Sequence, residues 1–258
     1  MKNLLFLTLS ILLPTASLNS TIYETTEIEA LVPLIKEELQ KEPGPCAIVA
    51  VDLDNTTLKA GNPKATDEWF SEKIKEYTAQ GLTSDQAVAR IMPEHLQAHR
   101  TTKVTPVDVD VKPLIDALQH KNVHVIALTA RNLDFVNISL RQLHDIKIDL
   151  TPKGHTNGAI ERWELCYKLG GLPKDAYYIP GIIFASGNDK GMVFEHFLRQ
   201  LKYRPHLVIF VDDSANNIKA VDQMCKRLGI KKCACFMLTK VKQGISPESG
   251  KRFNQKEL

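Results

Sequence analysis

Short, uninterrupted apolar runs recur along this chain with helical patterns between them, and no other feature restricts the possible folds as much. Ala47–Val51, Val123–Leu128, His206–Val211 and Cys233–Leu238 each read as a strand covered on both faces. Helix-like stretches over 27–41, 111–120, 132–144, 159–169, 190–201 and 215–228 alternate with them. Glu42-Pro43-Gly44-Pro45 stops the first and Gly229 the last. Ile146–Leu150 reads as a further short strand, and Tyr177–Phe184, broken by Pro180-Gly181, as a hairpin. This βαβα order implies an α/β fold with a Rossmann-like parallel sheet and helices on both faces. Residues 59–105 interrupt the rhythm. They are more polar, place Trp69, Phe70, Ile74 and Tyr77 at helical spacing, and offer Thr83 or Ser84 to cap a second helix. They read as a small, mainly helical insertion after the first strand, leaving 18–58 and 106–258 as the core.

At 258 residues the chain can bury one good core and a smaller attached lobe. The net charge of +3 is small, and the lysines are scattered without interleaved aromatics, so nothing points to nucleic acid. The start belongs to another category. Met1-Lys2-Asn3 is a short positive opening, Leu4–Leu13 is apolar apart from Thr8 and Ser10, and Pro14-Thr15-Ala16-Ser17 supplies small residues. This is the layout of a secretory signal peptide over 1–17, cleaved after Ser17, and the run is too short to span a bilayer well. No later segment reaches the length of a membrane span, so the mature chain is expected to be exported, periplasmic or secreted, and soluble. Cys46, Cys166, Cys225, Cys233 and Cys235 form no zinc-ligand spacing. Cys225 could meet Cys233 or Cys235 across a helix–strand turn; burial of each as a small hydrophobe is the alternative.

In open α/β sheets ligands bind beyond the carboxyl ends of the strands. Asp52 and Asp54, with Thr56 behind, follow the first run, and Thr129, Ala130 and Arg131 follow the second. Asp212 and Asp213, then Ser214, Asn216 and Asn217, follow the third, while Lys190 opens the helix before it. The ordered set D-L-D-N-T, L-T, K-G and V-D-D-S-A-N-N resembles the four motifs of the haloacid dehalogenase-like superfamily of phosphohydrolases, over residues 46 to about 238. The resemblance implies a Mg²⁺-dependent phosphatase acting on phosphomonoesters, small or macromolecular. Asp52 would be the nucleophile that forms an aspartyl-phosphate and Asp54 the general acid/base. The ion would lie among the Asp52 side chain, the Asp54 backbone carbonyl and Asp213, with Asp212 ligating or orienting a water. Thr129 and Lys190 would hold phosphoryl oxygens, and Lys190 could also pair with Asp52. Arg131 is a candidate second phosphate or substrate clamp, or else a surface-paired arginine. Asn216 or Asn217 stands where many relatives carry an aspartate, which leaves that outer charge open. The 59–105 insertion matches a cap, which excludes water and chooses the substrate.

Asp54 argues against a dehalogenase, which needs only the nucleophile, and the transport ATPases have threonine there. A sugar phosphomutase or phosphotransferase on the same core and a non-catalytic binding protein on this scaffold are the alternatives. A receiver domain also gathers aspartates, a threonine and a lysine, but it begins with the paired acids that come last here. The nearest functional analogues are secreted acid phosphatases, and the closest overall resemblance is to a group of exported bacterial proteins of this type. His95, His99, His155 and His196 lie outside the four motifs and read as surface or core residues. Trp69, Phe70 and Tyr77 read first as packing, with a substrate-facing role as the alternative. Asn55 has no assigned role.

Overall fold

The protein is described by a computed structural model over residues 19–41, 47–121, 123–152 and 163–248. Strands β1 (Asn19–Thr25), β2 (Ala47–Val51), β5 (His124–Thr129), β6 (Tyr167–Leu169), β7 (Ala176–Ile179), β8 (Ile182–Phe184), β9 (Leu207–Asp212) and β10 (Lys232–Leu238) form one sheet in the order β1-β10-β9-β2-β5-β8-β7-β6. The sheet is parallel from β1 to β8; β7 and β6 add antiparallel pairings at the far edge. Helices α1 (Val32–Lys41), α4 (Val111–His120), α5 (Val136–Asp145), α6 (Lys190–Leu201) and α7 (Ala215–Leu228) complete the core. This is the expected fold class.

Alternation along the central strands explains why uninterrupted apolar runs were needed. Val49 and Val51 of β2, Val125 and Ala127 of β5, and Ile209 and Val211 of β9 face one hydrophobic cluster, shared with α1, α4 and α5. Ile48 and Ala50, Ile126 and Leu128, and Val208 and Phe210 face the other, shared with α6 and α7. Each large aliphatic or aromatic side chain so buried is worth roughly 1.5–3 kcal/mol in removal from water. Because both faces are covered, no polar position can appear until the strand ends. Register does the rest: Val51 pairs with both Val211 and Ala127, so β9, β2 and β5 finish within two residues of one another.

Several expectations need correction. The insertion follows β2, which is the second strand in the chain, because β1 precedes it. Strand β1 gives no apolar run, since it is an edge strand whose Thr21, Ile22, Tyr23 and Glu24 are exposed. Ile146–Leu150 is not a strand: the position beside β5 is taken by β8, and Ile148 and Leu150 are buried in irregular chain instead. Of the helix expected over 159–169, Tyr167–Leu169 is strand β6, while 159–162 lie outside the described residues. The proposed signal peptide, Cys46 and His155 lie outside them as well. Cys225, Cys233 and Cys235 gather as buried free thiols, with the sulfurs of Cys233 and Cys235 3.7 Å apart.

Between β2 and α4 the chain leaves and returns through a two-stranded antiparallel ribbon, β3 (Leu58–Ala60) with β4 (Val104–Pro106). Helices α2 (Asp67–Ala79) and α3 (Ser84–Thr101) sit above this stem. Thr83 starts α3 with a reciprocal capping box to Gln86. The end of α3 is tied to the core by α5, where Arg141 and Gln142 donate to the carbonyl of His99.

Candidate functional site

The turn after β2 places Asp52, Asp54 and Asn55 at the level where β9 delivers Asp212 and Asp213 and β5 delivers Thr129. Asn55 adopts φ 61°, a left-handed conformation that asparagine tolerates better than most residues. Its side chain donates to Glu68 of α2 (3.2 Å), joining this turn to the helical excursion. Lys190 enters from the start of α6, which Asp189 caps through the Met192 N–H.

Lys190 is the hub. Its ammonium is 2% exposed and lies 2.6 Å from Asp52 Oδ1 and 2.7 Å from Asp212 Oδ2. Burial opposes the lysine's charge, yet Asp212 and Asp52 outweigh it and raise its pKa. Burial pushes the Asp52 carboxyl well above its usual range; Lys190 pulls it down, and Asp212 and Asp54 add to the rise. Asp212 is wholly buried and also accepts the Ser214 N–H (2.8 Å) and the Asn217 amide (3.1 Å). Asn217 is therefore the asparagine that faces the acids; Asn216 is exposed. Asp213 is raised by burial and by Asp212, with Lys242 3.4 Å from its carboxylate acting against them. Among the described residues, Asp52, Asp212 and Asp213 are the group of acids whose oxygens converge closely enough to hold a metal ion, within 4.8 Å of one another.

Asp54 is close by in sequence but differently engaged. Arg131 grips it with both arms of its fork, Nε to Oδ2 at 2.8 Å and Nη2 to Oδ1 at 2.7 Å. Burial raises the Asp54 carboxyl, but Arg131 overrides this and holds it below its ordinary value. Thr129 is buried, and its hydroxyl oxygen accepts the Arg131 N–H (3.2 Å). Arg131 itself is buried, which corrects the surface-paired alternative; its fork is spent on Asp54.

These residues floor a cleft of about 1080 Å³ whose other wall is the helical excursion. That wall carries side chains to which sequence reasoning assigned no firm part in a site, among them His95 and His99, which are buried as their reading as core residues allows. His95 and His99, four apart on α3, share the buried stripe with Ala87 and Ile91, and their rings meet edge-on at 4.5 Å. Burial and then Arg131 push His99 down to about 3, so it is neutral. Phe70 stacks obliquely on His95 at 4.7 Å and lines the cleft, whereas Trp69 is further out at 6.1 Å. Asp67, at the start of α2, opens onto the cleft. Although its side chain is exposed, desolvation by the surrounding cleft, followed by the charges of Asp54 and Asp213, raises its carboxyl to about 7. The signal that could have found the histidines is their spacing on an otherwise apolar helix face.

An open, mostly parallel α/β sheet with acids and a lysine gathered beyond its central strands defines the class of protein. The chain belongs to the family described as "Protein of unknown function (DUF2608)", which matches residues 24–248. It is 25% identical over 197 residues to a "Putative outer membrane protein" of Chlamydia pneumoniae, covering 76% of this chain and 70% of that one. A protein of the same description from Chlamydia trachomatis serovar D is 24% identical over 179 residues, covering 69% and 64%. One from Chlamydia muridarum is 22% identical over 180 residues, covering 70% and 64%, so the chain spans just under two thirds of these last two. Among solved structures, the HAD domain of effector protein Lem4 from Legionella pneumophila, an inactive mutant, aligns over 82% of this chain and 89% of that one. The identity is 15% and the TM-score 0.34, a loose likeness.

Proposed function

We propose that this chain is a Mg²⁺-dependent phosphatase of the haloacid dehalogenase-like type, hydrolysing phosphomonoesters through an aspartyl-phosphate on Asp52. One observation carries the reading: Lys190, 138 residues from Asp52 in sequence, bridges it to Asp212 at the shared end of adjacent strands. A solvated turn would need no such buried cation. The donor set fits a hard divalent ion, since it is all oxygen, buried, and carries more negative charge than Lys190 alone offsets. Asp52, Asp213 and Asp212 would hold that ion, and when bound it supplies neutralisation of the charge on the phosphoryl oxygens.

The chain's own groups then divide the work. Asp52, as the carboxylate that Lys190 favours against burial, attacks phosphorus, the bond from phosphorus to the leaving oxygen breaks, and Asp54, which has to enter this step protonated against the pull of Arg131, supplies the proton that oxygen needs. Asp54 next takes a proton from water as the water attacks phosphorus, and the bond from phosphorus to Asp52 breaks to release phosphate. Thr129, whose oxygen already accepts the Arg131 N–H, keeps its O–H to donate to a phosphoryl oxygen, and Lys190 offsets charge beside it. The wall formed by α2 and α3 acts as the cap that restricts the leaving group.

The same reading takes the chain to be exported. The chlamydial relatives carry outer-membrane names, residues 1–17 have the layout of a signal peptide, and among the described residues no helix is long and apolar enough to cross a membrane. The activity is tested by hydrolysis of p-nitrophenyl phosphate with Mg²⁺, with EDTA, and in Asp52→Asn. Turnover that needs the metal and vanishes in the variant is expected; equal rates in all three would refute the assignment.

A further inference from the structure

We propose that Arg131 is a positioning residue for Asp54 and not a clamp on the substrate's phosphoryl group, an inference that rests on the phosphatase reading above. The fork is almost fully used inside the protein. Nε and Nη2 take the two oxygens of Asp54, Nη1 donates to Ser139 Oγ at 2.8 Å, and Nη2 also lies 3.5 Å from His99 Nδ1. Ser139 is completely buried on α5, and the guanidinium lies over the Phe135 ring, 5.6 Å from its centroid. The Arg131 backbone is held as firmly, donating to Thr129 Oγ1 and accepting the Ser186 N–H at 3.0 Å. Exposure runs the same way: both side chains line the cleft, but Arg131 is 5% exposed and Asp54 17%, so the acid is the more open of the pair.

A two-point grip sets both the plane and the tilt of a carboxylate, which a single-headed ammonium cannot do. Asp54 then meets a leaving oxygen from one fixed direction, and geometry is the first requirement of a general acid. Through His99 the cap touches the same guanidinium, so the seating of α3 and the aim of the acid are mechanically joined.

The two roles leave different kinetic marks. A phosphate clamp serves every phosphomonoester alike, and losing it raises KM. Loosened aim of Asp54 harms most those esters whose leaving oxygen is a basic alkoxide, and spares those leaving as a stable anion. The experiment measures kcat and KM of wild type, Arg131→Lys and Ser139→Ala, with Mg²⁺, on glycerol 2-phosphate and p-nitrophenyl phosphate. For Arg131→Lys, kcat/KM on glycerol 2-phosphate, which reports only the steps up to loss of the leaving group, is expected to fall about 100-fold, the low end of what a general acid contributes. On p-nitrophenyl phosphate the expected loss of kcat/KM is under about tenfold, with KM raised for neither. Because Asp54 also serves the second step shared by both substrates, kcat alone does not discriminate; an equal loss of kcat/KM on the two substrates, a KM raised for both, or no change at all would overturn the proposal. Should Arg131→Lys fail to fold, Ser139→Ala decides, because it removes one support and leaves the ion pair. A loss of kcat/KM confined to glycerol 2-phosphate is expected, and equal losses on both substrates would overturn the proposal. A wild-type protein inactive on both substrates would defeat the phosphatase reading itself.

Discussion

Lys190 stabilises two buried carboxylates at once, and among the described residues no other cation is paired with either of them, so its removal leaves their charges uncompensated. Lys190→Met is expected to cost about 3–5 kcal/mol, the scale for breaking a buried ion pair from one side. Urea unfolding in EDTA reads that loss, and a midpoint equal to wild type would show that the pairing contributes nothing. Asp67 gives a pH-dependent counterpart. Its carboxyl is raised to about 7, so the folded chain holds this proton more tightly than the unfolded chain does. Its contribution is full at low pH and is lost as pH rises from the ordinary aspartate range through about 7. Because the Asp67 side chain is exposed and its charge is screened by solvent, Asp67→Asn should melt only slightly above wild type at pH 8 in EDTA, with the difference vanishing near pH 4; a difference independent of pH would contradict this. At this scale Asp52, Asp54, Thr129, Lys190, Asp212 and Asp213 were legible because each follows a run that has to be buried or opens a helix beside one. Ser139, His95 and His99 were not, because each is a polar residue on an otherwise ordinary amphipathic helix. Only the meeting of α3, α5 and the turn after β5 gives Ser139 and His99 a partner in Arg131, while His95 pairs with the Lys64 carbonyl.

Helices α4, α6 and α7 run over the residues their patterns indicate, since each has an apolar face with one sheet face to cover. Strands were less legible where burial is not two-sided. Edge strand β1 carries no apolar run, and β6 is too short for its alternation to be seen. Ile146–Leu150 has the composition of a strand without a free neighbour to pair with. Close approach of elements also leaves a mark in the chain. A Cβ on Gly191 would lie 2.2 Å from the Ala220 carbonyl oxygen, so α6 and α7 can touch only because this residue is glycine. Gly191→Ala should cost about 1–3 kcal/mol through overpacking and shift Lys190 next to it. Gly170→Ala, where an added Cβ meets nothing within 4 Å, is the control. Thermal melts of the two variants check this, and equal melting temperatures would contradict it.

Taken whole, the proposed function would separate chemistry from selection: the acids stand beyond the sheet's central strands with Lys190 reaching them from the start of α6, while the cleft's outer wall comes from a helical pair tethered by a two-stranded stem. The alternation of strands and helices made the first part readable, but the path of the second depends on contacts such as Asn55 with Glu68 that join distant stretches of chain. The proposed export concerns the same whole chain, and on that reading N-terminal sequencing of the mature protein should begin at Leu18, just ahead of β1; an intact Met1 would contradict it. The central claim is that phosphorus passes through Asp52. Brief exposure to phosphomonoester substrate with Mg²⁺, acid quenching and borohydride reduction should convert Asp52 alone to homoserine, located by peptide mass spectrometry. Homoserine at another aspartate, or at none while substrate is being hydrolysed, would contradict the account.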